Sequence, residues 1–405
     1  MKIRDRIISL LAAVFLMSGS MCYAQSDENE DYYGPIKSVT QYESFVVDGK
    51  EEKGNYEWKI LFNKDGKITE EYCYDKFENF YVYKRTFSYN SQGKEVEKSE
   101  YDGNGSLYYK KVYKYDPKGN QTEYARQKND GTLLWKYTYK YDSKGNEIEQ
   151  CFYNQEGNIE SRCTRKYDEK GHPTEYHQYK GDGSLLFRNT FKYNANGKKT
   201  EQVLFNKVGG IDTKDTYQYD NNGKQIEHCC YKGDGTLRNR GVYKYDVKGN
   251  MIEYCQYKGD GSIDYKDTRK YNEKGKETEY CLYSNTGSIT EKSAYKYNKK
   301  GILLETLFYR YKEDGSVETQ ETHKFDERGN MIEEIRYDDG ALTEKNTYKF
   351  DEKGKRIEEG HYGDEIDGEK FSFKYDHQGN CIERKRYDNS DVLKSIRISE
   401  IEYYE

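Results

Sequence analysis

The chain has 405 residues, of which 35% are charged, yet its formal net charge at neutral pH is only −6. So close a balance excludes the broad basic field of a nucleic-acid or anionic-membrane binder. With 46 tyrosines and only 3 prolines it also lacks the aromatic-poor composition of disordered chains, and tyrosine stands in for leucine as the main packing residue.

Lys2, Arg4 and Arg6 precede the apolar run Ile7 to Met17, which is too short to span a bilayer, and small residues lead on to Ala24. This is the layout of a secretory signal peptide over residues 1–24, cleaved between Ala24 and Gln25. The mature chain is therefore expected outside the cytoplasm: secreted, periplasmic or at the cell surface. Cys22 raises the alternative of a lipid anchor, but Gly19-Ser20-Met21 lacks the small residue that usually precedes a lipidated cysteine. Residues 25–35 read as an acidic, flexible lead-in, and 36–405 as one repeat domain. After cleavage no apolar segment is long enough to cross a membrane as a helix.

The repeat is plain from "YKYDPKGNQTEY" at Tyr113, "YKYDSKGNEIEQ" at Tyr139 and "YKYDVKGNMIEY" at Tyr243. The glycine of this phrase recurs every 26 residues from Gly93 to Gly301, and 13 such units run from Gly66 to Gly379. An aromatic stands four before each glycine and Asp or Asn three before it, which is turn chemistry. A second turn, such as Gly181-Asp182-Gly183, follows about half a unit later. Between turns, residues alternate as in Leu133, Trp135, Tyr137, Tyr139 and Tyr141, so each unit is a β-hairpin. The fold class is all-β: tandem hairpins in a long antiparallel meander of about 26 strands.

Counting offsets from the glycine puts the paired tyrosines, the column Leu107, Leu133, Ile159, Leu185 and the glutamate four after each glycine on one face. Lys110, Lys136, Arg162 and Arg188 fall on the other. Laid flat, the sheet would be roughly 125 Å long at about 4.8 Å per strand. Twist and a one-sided apolar face favour a curled or superhelical sheet, with a single-layer rod as the alternative.

The phrase Tyr-x-Tyr-Asp-x-x-Gly-Asn at Tyr113 to Asn120, Tyr139 to Asn146 and Tyr243 to Asn250 resembles the YD repeat of the RHS family. That resemblance implies an exported protein whose hairpins form a spiralling β-shell, and a link to carbohydrate binding. The unit here is longer than the usual YD repeat, and the chain ends on strand-like "SIRISEIEYYE" with no toxin-sized domain, so the cargo-enclosing activity is not carried over. The "YKGDGS" half is similar, second, to MORN-type repeats.

Candidate chemistry is sparse. The glutamate column, including Glu123, Glu149, Glu227 and Glu253, has thirteen equivalent copies, whereas catalytic carboxylates come as one differentiated pair. It reads as a structural ladder accepting bonds from tyrosine hydroxyls. Cys151 and Cys163 fall on neighbouring strands as the one plausible disulfide, with small packing residues as the alternative reading. No metal, cofactor or nucleophile motif is found. The expected function is therefore a non-enzymatic binding protein for glycan or a cell-surface partner, with Tyr108, Tyr109, Trp135 and Tyr137 as the most aromatic departure from the columns. The alternative is a structural spacer or protein-interaction scaffold.

Overall fold

A computed structural model describes residues 32–405 apart from 48, 79, 364 and 365. The expected signal peptide and cleavage site, Cys22 and most of the expected acidic lead-in lie outside these residues. The turns take the form their residues demand. Gly145 sits at φ +90°, its N–H donating to Asp142 O at 3.1 Å. Asp142 Oδ1 accepts from the N–H groups of Lys144 at 2.9 Å and Asn146 at 2.8 Å. A side chain other than glycine would hold this left-handed conformation at a cost of about 1–2 kcal/mol.

The described residues form 28 strands, from β1 (Ile36–Val47) to β28 (Leu393–Tyr403), each antiparallel to the next. The thirteen hairpins account for all but the first and the last. Those two pair with each other, from Ile36 with Tyr403 to Phe45 with Ser395. The first and last strands thus supply one more antiparallel pair, and the sheet closes into a barrel. This corrects the expected curled or superhelical open sheet, and the rod alternative with it. Closure leaves no edge of unpaired N–H and C=O groups, which an open sheet of any curvature would keep at both ends. The flat length becomes a circumference: 28 strands at about 4.8 Å give a barrel about 43 Å across before strand tilt widens it. Strands touch only their sheet neighbours, so the wall is one layer thick among the described residues.

The seam is more heavily fastened than the repeats. Asn380, only 1% exposed, accepts from Tyr33 N–H at 2.6 Å and donates to Tyr33 O at 2.8 Å and Tyr403 Oη at 2.7 Å. Tyr404 N–H donates to Pro35 O at 2.7 Å, and its hydroxyl to Phe62 O at 2.5 Å. Lys37 meets Glu402 at 3.4 Å, and Tyr42 donates to Glu400 at 3.0 Å.

Register overturns the assignment of faces. Between β6 (Leu107–Tyr115) and β7 (Gln121–Lys128), Tyr115 pairs with Gln121 but Lys114 pairs with Glu123. One strand carries an extra residue at this bulge, so parity inverts across the turn. Glutamate therefore shares a face with lysine, and the tyrosine six before each glycine turns to the other side. A second bulge at the opposite turn, where Gln127 pairs with Leu133 but Arg126 with Trp135, restores the parity.

The same inversion removes the expected disulfide. Cys151 pairs with Arg162 and Cys163 with Gln150, so the two thiols point to opposite faces and both are free.

Candidate functional site

On the glutamate face, small residues make a buried row: Ser99, Ala125, Cys151, Val203, Cys229, Cys255 and Cys281. Lysine and arginine stems cover them. Several ladder carboxylates sit between cations from the two adjacent strands, and others meet a cation on one side only. Glu149 meets Lys140 at 2.6 Å and Arg162 at 2.5 Å; Glu253 meets Lys244 and Lys266, each at 2.7 Å. Glu227 is held by Arg240, with an amide bond from Gln218 at 3.0 Å, and Glu123 by Lys114 at 2.9 Å. The partners are thus cations, where sequence parity had pointed to tyrosine hydroxyls. The lysine bonds draw the carboxyls of Glu149, Glu201 and Glu253 below their ordinary value. These pairs are half-exposed, so Glu149→Gln is expected to cost about 1 kcal/mol or less in urea unfolding, with an unchanged m-value.

The tyrosines four before each glycine show why the column is tyrosine. Their hydroxyls reach back across the sheet to a backbone carbonyl of the preceding hairpin, as Tyr141 to Gln121 O at 2.7 Å and Tyr245 to Gln225 O at 2.7 Å. That carbonyl belongs to the residue at the bulge, where the ladder is interrupted. At the same rim, lysines lace successive turns together, Lys118 to Ser143 O at 3.0 Å and Lys144 to Glu169 O at 2.7 Å.

The rings of the tyrosine face are half-buried. Burial pushes the hydroxyls of Tyr83, Tyr217 and Tyr280 up to about 12, and those of Tyr113 and Tyr254 upward as well. Its densest aromatic stretch lies over β6, β7, β8 (Leu133–Tyr141) and β9 (Glu147–Tyr153). Tyr113 and Tyr124 are direct cross-strand partners with rings stacked at 4.9 Å and 5° between planes. Tyr124 meets Trp135 edge-on at 4.8 Å and Tyr137 at 6.3 Å, and Tyr137 meets Phe152 at 4.8 Å. The Arg126 guanidinium lies 3.6 Å from the Tyr109 ring centroid, and Tyr109 donates to Glu100.

Three of the four residues singled out in the sequence, Tyr109, Trp135 and Tyr137, thus come together on one face. Tyr108 is the unpaired residue of a bulge between Leu107 and Tyr109, 66% exposed, with its ring 5.2 Å from that of Tyr109. Sequence reasoning missed Tyr113, Tyr124, Arg126 and Phe152 as members of the cluster. Tyr124 stands at a position that varies from unit to unit, and correct parity across the bulge would have placed it opposite Tyr113. Among the described residues no group of three or more His, Cys, Asp or Glu is placed to hold a metal ion.

Fold and face together define a closed, repeat-built β-barrel with one ionic-ladder face and one aromatic face. No protein-family model matches the chain, and no curated protein matches it. Among solved structures it is similar to TcdB2-TccC3-Cdc42, with a TM-score of 0.27 and 11% identity over 89% of this chain and 25% of that one. For TcdB2-TccC3 the TM-score is 0.25, with 10% identity over 94% of this chain and 29% of that one. A porin-like protein from Bacteroides uniformis gives a TM-score of 0.23 and 14% identity over 56% of this chain and 96% of its own. The chain therefore spans well under a third of the TcdB2-TccC3 chains. Likeness this faint carries no argument about this chain, whose repeat-built β architecture rests on its own strands.

Proposed function

We propose that this is an exported, non-enzymatic barrel whose tyrosine face lines the lumen and holds an extended glycan of the cell envelope. The observation that carries the reading is the continuous aromatic row Tyr113, Tyr124, Tyr137 and Phe152 with Trp135, half-buried yet uncovered by any second layer among the described residues. Fully buried rings would serve packing alone; open, adjacent ring faces suit the apolar faces of sugar rings. Export rests on the basic residues and the apolar run before Ala24. A place outside the bilayer is supported by charge on both faces of the wall, Glu149 with Lys140 on one and Arg126, Arg165, Asp215 and Asp267 on the other. A lipid-facing strand would be destabilised by roughly 2–4 kcal/mol for each such cation at mid-depth.

Isothermal titration of the full chain against soluble glucans, mannans and peptidoglycan fragments tests the reading. One of these polymers should bind, and Trp135→Ala with Tyr137→Ala should weaken it by about tenfold, or ~1.4 kcal/mol, with the unfolding midpoint still cooperative. If the folded chain binds none of them, the spacer reading takes over. That alternative draws on the laced rim and the closed ring, which would keep a fixed shape without any ligand.

A further inference from the structure

We infer that Lys98, Lys111 and Arg126 form an anion-binding row beside the aromatic cluster, so that the polymer held on this face is an acidic glycan. The inference deepens the glycan reading and rests on it. Lys98, on β5 (Glu95–Tyr101), is the direct cross-strand partner of Lys111 on β6, and Lys111 is the direct partner of Arg126 on β7. Three cations thus stand side by side on adjacent strands, spaced by about 5 Å, and Trp135 on β8 extends the same line. Like charges directly opposite one another destabilise a sheet.

Nothing in the described structure neutralises the row at contact range. The carboxylates nearest to it on this face are engaged elsewhere. Glu71 pairs with Arg85 at 3.0 Å, Glu100 accepts from Tyr109 and faces Arg85, and Glu95 lies against Tyr113. Arg126 Nε is buried without a hydrogen-bond partner. Other cations of the tyrosine face do find carboxylates: Arg165 meets Glu147, Arg269 meets Asp267 at 3.2 Å, and Arg336 meets Glu321 at 3.0 Å.

Lys111 also breaks the repeat. At its position the unit before carries Arg85, which Glu71 neutralises, and the units after carry Tyr137, Cys163, Asn189, Asp215, Gly241 and Asp267, none of them cationic. In a repeat array a binding site belongs where units depart from the consensus. A strand spacing of about 5 Å is also close to the length of one pyranose ring, so successive acidic sugars running across the strands would meet successive cations while the rings rest on Trp135 and Tyr124. The bound groups would be carboxylates or sulfates, which Lys and Arg recognise by charge-assisted hydrogen bonds.

The test uses the full chain with three probes at low salt: polygalacturonate, its methyl ester, and single-stranded DNA. Polygalacturonate should bind at least about tenfold tighter than the uncharged ester, and the preference should shrink as salt rises. Combining Lys98→Gln, Lys111→Gln and Arg126→Gln should erase the preference while leaving the urea midpoint unchanged or higher. Lys111→Gln alone should halve the preference or more. Equal binding of acid and ester, a preference untouched by the variants, a lowered midpoint in the triple variant, or tighter binding of DNA would each overturn the inference. Ester binding that survives the triple variant but is lost in Trp135→Ala would leave the parent glycan reading standing. Failure of both glycan polymers to bind would overturn the inference and leave the parent reading to the glucan, mannan and peptidoglycan titrations.

Discussion

Deleting residues 393–405 is expected to abolish the folded monomer, not to shorten the barrel by one strand. In an open repeat array the loss of a terminal unit removes one interface and leaves the rest standing. Here β28 is the partner of both β1 and β27 (Cys381–Asp388), so its removal opens two edges at once. Val39, 1% exposed, loses its cover, and Asn380 loses Tyr403. Two flat edges of this length are templates for intermolecular pairing. Light scattering after size exclusion should show soluble aggregates in place of a monomer; a monodisperse product with the parent circular dichroism would refute the role given to the seam. The milder change Asn380→Leu leaves the Tyr33 N–H and C=O without partners, at a cost of roughly 2–4 kcal/mol. Amide exchange in β1 and β28 should then accelerate well before that in β14 (Ile211–Tyr219), which lies far from the seam.

Much of this architecture is legible in the sequence because its signals are local. The 26-residue spacing, the Asp or Asn before each turn glycine, and the alternation Leu133, Trp135, Tyr137 are enough for the hairpins. Closure is not a local property. It depends on whether the accumulated twist and stagger of 28 strands bring Ile36 beside Tyr403, and no residue in a repeat encodes that sum. The side chains that fasten the meeting, Asn380, Tyr403 and Tyr404, lie outside the repeat phrase or look like ordinary members of it.

The face assignment failed for a different reason. Period two is reliable only within one strand, and each turn here spends one residue in a bulge. A slip of one residue moved the whole glutamate column from the lysine face to the tyrosine face, and brought Cys151 and Cys163 together on paper. The candidate site shows both effects. Tyr109, Trp135 and Tyr137 were visible as excess aromatics, whereas Tyr124 and Arg126 become part of the cluster only once the pairing of β7 with β8 is known.

The barrel should lose stability steeply in acid, because its ionic ladder is repeated around the ring. Hydrogen bonds from Lys140, Lys192, Lys244, Lys270, Lys324 and Lys374 hold Glu149, Glu201, Glu253, Glu279, Glu333 and Glu383 below the ordinary glutamate value. Burial alone would raise Glu359, but bonds from His361 and Arg356 bring it down to about 2. A carboxyl with a depressed folded pKa contributes stability that is fully present above its unfolded value, about 4.3, and is lost as pH falls through the folded value. Asp267 and Glu277, raised by burial, act in the opposite sense, but they are two against the ladder. Each exposed pair is worth little, about 0.2–1 kcal/mol, yet the same pair recurs in most hairpins of a sheet that melts as one closed unit. The urea midpoint should therefore be flat between about pH 5 and neutrality and fall below about pH 4.3. Above about pH 10 a second loss follows, since Lys140, Lys244 and Lys270 are raised by the same bonds, and such groups lose their contribution as pH climbs through the folded value. Replacing Glu149, Glu201 and Glu253 by Gln together should lower the midpoint at neutral pH and flatten the acid limb. An acid limb equally steep in that triple variant would show that the ladder is not what acid dismantles.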